Sequence, residues 1–232
     1  KRQTLQVLSN VLIVVADGEI AMTGTDLEVE LLSRQSLENE SRDGKITVPC
    51  RKLLDICRAL PATAQVDLSV DGNRLLLKSG KSRFTLTTLP ANDFPNLEES
   101  LNAAYTVTLT QRVLKQMIDK TSFAMAQQDV RYYLNGMLFE VTADRLRLVA
   151  TDGHRLAMCD AEISSQVIEK AQVIVPRKGV QELSRLLTDE DAEVTLTLGS
   201  NHLRVTVGNV TFTSKLIDGR FPYYERKKKK NG

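Results

Sequence analysis

Short segments in which apolar and polar residues alternate make up much of the chain. Residues 66–70, 75–78 and 83–88 are rich in Thr, Val and Leu, and the turn sequences DGN and SGK separate them. Alternation over about four to eight residues between turn-forming residues is typical of β-strands with one buried face. The pattern therefore predicts several short strands joined by tight turns.

Three other stretches carry apolar residues at helical spacing. They lie at residues 49–60, 109–126 and 176–187, and Pro49 and Thr110 are suitable residues for a helix start. The apolar residues that would share one face are Leu53, Leu54, Cys57 and Leu60, then Val113, Leu114, Met117 and Ile118, then Val180, Leu183, Leu186 and Leu187. Recurrence at intervals of about three and four residues predicts an amphipathic helix in each stretch.

The second half of the chain repeats the first half at a nearly constant offset. The matched segments lie 126–128 residues apart: 12–28 with 138–154, 46–61 with 173–187, 66–89 with 194–217, and the Phe-Pro endings of 84–98 with 212–225. A period this long indicates a whole domain used twice rather than a short solenoid unit.

The repeat predicts one domain at residues 1–104 and a second at 105–226, with 227–232 following as the start of a linker. The second copy has a helix, 109–126, ahead of its first strand, and the first copy has no equivalent. We therefore expect that this sequence begins inside a domain.

Charge is almost balanced overall, but it is uneven along the helices. The chain has 31 basic and 29 acidic side chains, which by itself does not indicate a nucleic-acid-binding protein. Each predicted helix nevertheless has a net positive polar face, formed by Arg51, Lys52 and Arg58, by Arg112, Lys115 and Lys120, and by Arg177, Lys178 and Arg185. Any one such face could simply be solvated. Recurrence in three helices favours a surface for phosphates, which Lys and Arg contact without reading sequence.

Residues 127–136, QQDVRYYLNG, add amides and two adjacent tyrosines after the second predicted helix. Aromatic faces can stack on bases, and amides can reach phosphates or base edges. The alternative is structural, with one ring of the Tyr132–Tyr133 pair in the core and the other outside.

The residues around several candidate chemical sites argue against them. The sequence SGKS at 79–82 lacks the earlier glycine of a phosphate-binding loop and precedes a strand instead of a helix. Neither His154 nor His202 has a second ligand at metal-binding spacing, so we expect no metal and no cofactor. A general acid–base role for Asp152 and His154 is conceivable, but the matching loop of the first copy, TDLEV, has no histidine. A binding or structural role is therefore favoured over catalysis.

The cysteines and the apolar segments bear on where the protein functions. Cys50, Cys57 and Cys159 are odd in number and form no disulfide pattern, which favours buried free thiols in a reducing compartment. No apolar segment is long enough to span a membrane, and the run at 11–16 is shorter than that of a signal peptide. We expect a soluble, cytoplasmic protein that does not bind membranes.

The strings QDVRYYLNGMLFE, VATDGHRLA, VPRKG and FTSKLIDGRFPYY resemble the bacterial DNA polymerase III beta subunit family, the replicative sliding clamps, and the resemblance reaches Arg226. It implies an α+β clamp fold of duplicated domains, with antiparallel sheets outside and two helices per domain facing a central hole for duplex DNA. It also implies a head-to-tail homodimer of three-domain protomers that is a non-catalytic processivity factor. Expected partners are double-stranded DNA, the DNA polymerase III alpha subunit, the clamp loader and other proteins with a clamp-binding motif.

The resemblance also assigns site residues. It implies DNA contacts at Arg2, Arg51, Gln128, Tyr132 and Tyr133. It implies a hydrophobic peptide-binding groove at Leu134, Thr151, Gly153, His154, Arg155, Leu156 and Pro222. It implies a dimer interface at Lys52, Lys81, Arg83, Phe84 and Leu86.

The sequence departs from the family pattern in two ways, which leave an alternative open. A third copy of the domain is expected by the family pattern and is not in these 232 residues, and Lys227–Lys230 replace an apolar and proline-containing segment. The leading hypothesis is a DNA clamp that docks peptides. The alternatives are an isolated peptide-docking module that does not retain DNA, and an enzyme that uses Asp152 and His154.

Overall fold

The computed structural model describes residues 6–39, 41–95, 103–165, 167 and 169–224. The chain divides into two compact units. The first unit comprises Lys1–Leu101 together with Val205–Thr213, and the second comprises Asn102–Arg204 together with Ser214–Gly232. No helix in the described ranges combines the length and the apolar composition that crossing a membrane requires.

The described part of the first unit contains strands of two antiparallel sheets and one α-helix. Its elements are β1 (Asn10–Ala16), β2 (Glu19–Thr25), β3 (Val29–Ser36), β4 (Gly44–Pro49), α1 (Cys50–Ala59), β5 (Asp67–Asp71), β6 (Arg74–Ser79) and β7 (Ser82–Thr87). The strand order is β4-β1-β2-β3 in one sheet and β5-β6-β7 in the other. The short alternating segments at 66–88 are thus strands, as the sequence pattern predicts.

The face that α1 buries differs in part from the predicted one. Leu53 is buried, and Ile56 and Leu60 pack against the same core cluster, whereas Leu54 and Cys57 are exposed. Positions 53, 56 and 60 follow one face of a ten-residue helix, while 54 and 57 lie on its flanks. The prediction of a stripe at 53, 54, 57 and 60 was therefore wrong for its two middle positions.

The cysteines also differ from the prediction. All three are free, but Cys50 and Cys57 are exposed and Cys159 is half-buried. Cys50 is the first residue of α1 and Cys57 lies nearly two turns later, so both lie on the same flank of the buried face, where they are exposed. The expectation that the thiols are buried was wrong.

The second unit repeats these elements and adds a helix at its start. Its elements are β8 (Ala103–Thr110), α2 (Gln111–Thr121), β9 (Gly136–Val141), β10 (Arg145–Thr151), β11 (Leu156–Glu162), β12 (Ala171–Pro176), α3 (Arg177–Leu186) and β13 (Glu193–Gly199), followed by parts of β14 (His202–Val207) and β15 (Val210–Lys215). One antiparallel sheet has the order β11-β10-β9-β12, and β13 pairs with β8.

Both helices of the second unit begin and pack as their sequences predict. The Thr110 hydroxyl accepts a hydrogen bond from the Val113 amide at 3.3 Å, which satisfies one of the free donors at the start of α2. Leu114 and Met117 of α2 and Leu183 of α3 are almost completely buried. Val113 is the exception among the predicted apolar positions of α2, since it is exposed.

The segment Val205–Thr213 completes the first unit although it lies in the second half of the sequence. It contains most of β15, which lies next to β3. The Arg34 amide donates to the Asn209 carbonyl at 3.0 Å, and the Asn209 side chain donates to the Arg34 carbonyl at 2.9 Å. The outer edge of β3 is therefore covered.

Candidate DNA-binding and peptide-binding surfaces

The α1 surface presents cations that are free to move toward a ligand. The Arg51 side chain is 89% exposed, and its Nε lies 3.8 Å from a carboxylate oxygen of Asp55, one turn later on α1. Lys52 and Arg58 are also exposed. A surface ion pair at this distance constrains Arg51 only weakly.

The cations on α2 and α3 are more fully engaged with nearby acids. Arg112 lies 3.4 Å from Asp189 and 2.8 Å from Asp191, and the hydrogen bond with Asp191 raises the pKa of Arg112. Arg185 lies 2.6 Å from Glu182 on the same helix. The positive faces expected from the sequence are therefore partly neutralised in the second unit.

The loop between α2 and β9 contains three of the residues assigned to DNA binding, Gln128, Tyr132 and Tyr133. Its shape is fixed by a reciprocal pair of hydrogen bonds, in which the Asp129 amide donates to the Asn135 side chain at 2.9 Å and that side chain donates to the Asp129 carbonyl at 2.8 Å. Gln128, just before this pair, has a φ of 57° and is exposed. Tyr132 is 58% exposed.

The two adjacent tyrosines have different environments. Their ring centroids are 5.8 Å apart with an interplanar angle of 70°. Tyr133 packs against the cluster formed by Leu138, Val149 and Ile174, whereas Tyr132 points outward. One ring thus faces the core and the other lies outside, as the structural interpretation of the pair predicts. The exposed Tyr132 ring remains accessible to a ligand.

A tight turn at residues 151–155 joins β10 to β11 and contains four of the residues assigned to the peptide groove. The Thr151 hydroxyl donates to the Arg155 carbonyl at 2.7 Å and accepts from the Gly153 amide at 3.1 Å. One carboxylate oxygen of Asp152 accepts from the amides of His154 and Arg155 at 2.9 and 3.0 Å. These backbone hydrogen bonds, first that of Arg155, lower the pKa of Asp152 to about 2.

The first unit contains the same turn with different side chains. Thr25 and Asp26 make the equivalent hydrogen bonds, and Leu27 occupies the position of Gly153 with a φ of 76°. A side chain can therefore adopt this backbone conformation. Gly153, with a φ of 90°, has a further constraint, because a Cβ atom there would lie 3.0 Å from a guanidinium nitrogen of Arg131.

Two arginines connect this turn to the preceding loop. Arg131 donates to the Asp152 carbonyl at 3.3 Å and forms an ion pair with Asp129 at 2.8 Å. The hydrogen bond from Arg131 is the main cause that lowers the pKa of Asp129 to about 2. Arg155 donates to the Phe123 carbonyl at 2.7 Å, and its guanidinium carbon lies 5.4 Å from the centre of that ring. These contacts join the turn at 151–155 to the loop that carries Gln128, Tyr132 and Tyr133.

The seven residues assigned to the groove are not equally accessible. Leu134 and Thr151 are buried. Gly153, His154 and Arg155 are exposed. Leu156 is 46% exposed on the outer face of β11. Pro222 is half-buried in the segment after β15. A cavity of about 470 Å³ borders that segment between Leu216 and Phe221, but none of the seven residues lines it.

The residues assigned to a dimer interface lie on or near β7. Lys81 and Arg83 are exposed, Phe84 is half-buried, and Leu86 is buried in the core of the first unit. Lys52 is exposed on α1. Arg2 and Lys227–Lys230 lie outside the described residues.

A buried polar network in the second unit was missed by the sequence analysis. Glu140 accepts hydrogen bonds from the side chains of Gln172 at 2.6 Å and Tyr224 at 2.8 Å, and Lys170 lies at 3.2 Å. Burial alone would raise the pKa of Glu140, but these three partners outweigh it and hold the pKa below its usual range. The available signal was Glu140 within the otherwise apolar β9 and the alternation of Arg145 and Arg147 with leucines in β10, but alternation also fits an exposed sheet face.

Within the described ranges, no group of His, Cys, Asp and Glu side chains has the arrangement of a metal site. Asp152 and His154 are close in sequence, but the Asp152 carboxylate is engaged by backbone amides and by the Arg155 side chain at 3.0 Å. This arrangement stabilises the turn and does not orient a general base.

Comparison with known proteins assigns both halves of the chain. The N-terminal domain of the DNA polymerase III beta subunit matches residues 1–98, and its central domain matches 108–223. The beta sliding clamp of Pseudomonas aeruginosa is 60% identical over 231 residues, covering 97% of this chain and 61% of that protein. The beta sliding clamp of Escherichia coli strain K12 is 52% identical over 230 residues, covering 99% and 62%.

Solved structures agree with these matches. The DNA polymerase III subunit beta from Pseudomonas aeruginosa has a TM-score of 0.91 at 57% identity, covering 96% of this chain and 60% of that one. A sliding clamp from the same organism bound to griselimycin has a TM-score of 0.89 at 58% identity, with the same coverage. This chain therefore spans about three fifths of the length of these relatives. The expected α+β clamp fold is confirmed, and the chain belongs to the DNA polymerase III beta subunit family.

Proposed function

We propose that the chain functions as a DNA sliding clamp, a non-catalytic processivity factor that encircles duplex DNA and tethers the replicative polymerase. Its clamp domains would be residues 1–104 and 105–226, with a linker starting at 227–232. Family membership supports this proposal, and such a replication protein would be cytoplasmic.

The observation that carries the proposal is the unequal use of strand edges in the two copies of the repeat. The outer edge of β3 is covered by β15. The counterpart of β3 is β11, and the counterpart of β15 is β7. Among the described strands, β11 and β7 each stand at the end of their sheet. An uncovered edge accepts a strand from another chain or domain, so both edges suit further clamp domains.

Pairing at the β7 edge would join protomers head to tail, because β7 of one protomer would pair with a different strand edge of its partner. Lys81 and Arg83 are exposed there, Lys52 is exposed on α1, and all three would form ion pairs across the interface. Phe84 would pack against the partner, while Leu86 supports the strand from the core.

DNA contact would be electrostatic and independent of sequence, as a sliding protein requires. Arg51 would provide a cation, Gln128 an amide, and Tyr132 an exposed ring, and we also assign Arg2 and Tyr133 to DNA contact. Contacts to phosphates position a protein without fixing it to one sequence.

The exposed turn at 153–155 with Leu156 and Pro222 would form the part of the peptide groove that this chain supplies. The DNA polymerase III alpha subunit, the clamp loader and other proteins with a clamp-binding motif are the proposed partners. We also propose that griselimycin, which is bound to the Pseudomonas aeruginosa clamp, binds here. Leu156→Ala should weaken that binding, whereas Leu31→Ala on β3, a similarly exposed leucine, should not.

Retention on circular DNA tests the clamp function. The protein is loaded by the clamp loader onto nicked circular duplex, and half of the sample is linearised before gel filtration at about 200 mM salt, where electrostatic binding is weak. Retention on circles and loss from linear DNA is the expected result. Equal loss from both would contradict the proposal and leave a docking module that does not retain DNA.

A further inference from the structure

A row of four paired residues crosses the β11-β10-β9-β12 sheet of the second unit. Strand register places Gln172 opposite Glu140, Glu140 opposite Arg147, and Arg147 opposite Asp160. Arg147 donates to both carboxylate oxygens of Asp160, at 2.6 and 2.7 Å. Glu140 is only 1% exposed and Arg147 is also buried. The row is therefore a continuous polar network on one face of the sheet.

The same row in the first unit has different chemistry. Register places Lys45, Val14, Ala21 and Arg34 at the equivalent positions. The two central positions are thus apolar in one copy, and they carry a buried glutamate and arginine in the other. Replacing a buried ionic group by well-packed apolar residues is often neutral or stabilising, so fold stability alone does not account for this difference.

The network of the second unit ends on the segment after β15. The Tyr224 hydroxyl donates to Glu140 at 2.8 Å, and its ring centre lies 5.9 Å from the guanidinium carbon of Arg147. Phe221 lies edge to face with Tyr224, with ring centroids 6.4 Å apart, and both rings pack against the apolar cluster around Leu138. The segment is thus attached to the sheet at two points.

Pro222 and Tyr223 lie between these two attachments. Pro222 is half-buried, whereas Tyr223 is 77% exposed and is not among the side chains that contact Glu140 in the described residues. Fixing Phe221 and Tyr224 leaves little conformational freedom for the two residues between them. The position of Pro222 relative to β9 therefore depends on the hydrogen bond between Tyr224 and Glu140.

We propose that Tyr224 is a positioning residue for peptide binding: its hydrogen bond to buried Glu140 fixes the segment 221–224, and with it Pro222, in the conformation that the hydrophobic peptide recognises. This inference rests on the proposed function, because it gives the network a role only if Pro222 borders the groove. It also explains why the network is present in the copy that carries the exposed turn 153–155 and is absent from the other copy.

Tyr224→Phe removes one hydroxyl group and leaves the ring, the Phe221 contact and the Gln172 and Lys170 contacts with Glu140 intact. Tyr223→Phe is the matched control, since it removes the same group from the exposed neighbouring ring. Hydrogen exchange of the amides in 221–224, the dissociation constant of griselimycin and the melting temperature are measured on the full chain for each variant. Tyr224→Phe should accelerate exchange in this segment and weaken griselimycin binding on the order of fivefold, as expected for loss of the hydroxyl contacts with Glu140 and Arg147. Tyr223→Phe should change neither.

Faster exchange with unchanged griselimycin affinity would overturn the positioning role and leave a purely structural network. Unchanged exchange in Tyr224→Phe would overturn the attachment itself. A wild-type chain that does not bind griselimycin would overturn the proposed peptide site and the positioning role with it, which the exchange data distinguish from a failure of the attachment. Duplex-DNA affinity should be equal in all variants, so a general loss of folding would also be recognised.

Discussion

Arg51→Ala separates the contribution of α1 to DNA binding from its contribution to folding. Arg51 is almost fully exposed and its partner Asp55 is 3.8 Å away and 61% exposed. An exposed pair of this kind contributes about 0.5 kcal/mol or less to the free energy of unfolding. Alanine is also at least as favourable as arginine inside a helix. The melting temperature should therefore be almost unchanged.

The effect on DNA binding should be larger and should depend on salt. Each cation that neutralises a phosphate adds about 0.9 to the slope of log K against log salt concentration. Over a fourfold rise in salt, from about 50 to about 200 mM, one lost contact changes the affinity ratio of wild type to variant by about 3.5-fold. The affinity of Arg51→Ala should thus be lower at low salt, and its deficit should shrink by that factor as salt rises.

Fluorescence anisotropy with a short labelled duplex measures both slopes directly. Lys78→Ala is a suitable control, because Lys78 is an exposed cation on strand β6 of the same unit. Parallel salt dependence for wild type and Arg51→Ala would refute the assignment of Arg51 to a phosphate contact. An equal loss in Lys78→Ala would show that net charge, and not the α1 surface, determines binding.

Two further predictions concern the turn at 151–155. Gly153→Ala should lower the free energy of unfolding by about 1 kcal/mol, because a φ of 90° strains any side chain and the new Cβ contacts Arg131 at 3.0 Å, and denaturant unfolding should show a smaller loss in an Arg131→Ala background. Asp152 has a folded pKa of about 2 against an unfolded value of 3.8, so its contribution to stability is present above about pH 4 and is lost as pH falls toward about pH 2. The melting temperature of Asp152→Asn should decline less steeply than that of wild type over this range.

The outcomes that contradict these predictions are specific. An equal loss for Gly153→Ala with and without Arg131 would place the whole effect in the backbone conformation and none of it in the Arg131 contact. Parallel melting curves for wild type and Asp152→Asn below about pH 4 would mean that the carboxylate keeps similar hydrogen bonds in the unfolded chain.

The sequence allowed the elements and their repetition to be predicted, because local periodicity determines both. The strands at 66–88 and all three helices are confirmed. The buried face of α1 was assigned less well, because cysteine and leucine count as apolar in a pattern, whereas the structure decides which side of a short helix meets the core. Spacing alone could not show that Leu54 and Cys57 are exposed, because positions 53, 54, 57 and 60 fit the spacing of one helical face.

The network around Glu140 could not be predicted for a different reason. Its members lie on four strands and on the segment after β15, so no single stretch of sequence contains the pattern. Comparing the two copies position by position would have singled out the central pair, where Val14 and Ala21 correspond to Glu140 and Arg147. Even then, the attachment of Tyr224 depends on a long-range contact that spacing does not encode.

The location of Val205–Thr213 in the first unit has a consequence for synthesis on the ribosome. The hydrogen bonds between Arg34 and Asn209 join residues 175 positions apart, so β3 is made long before the strand that covers its edge. At a synthesis rate of about 5–20 residues per second, the edge of β3 in the nascent chain remains unpaired for roughly ten to thirty seconds. A bare edge invites aggregation, so chaperone protection should matter most in this interval. A fragment that ends at residue 101 would keep the same exposed edge permanently, and fusing residues 205–213 to it should restore solubility.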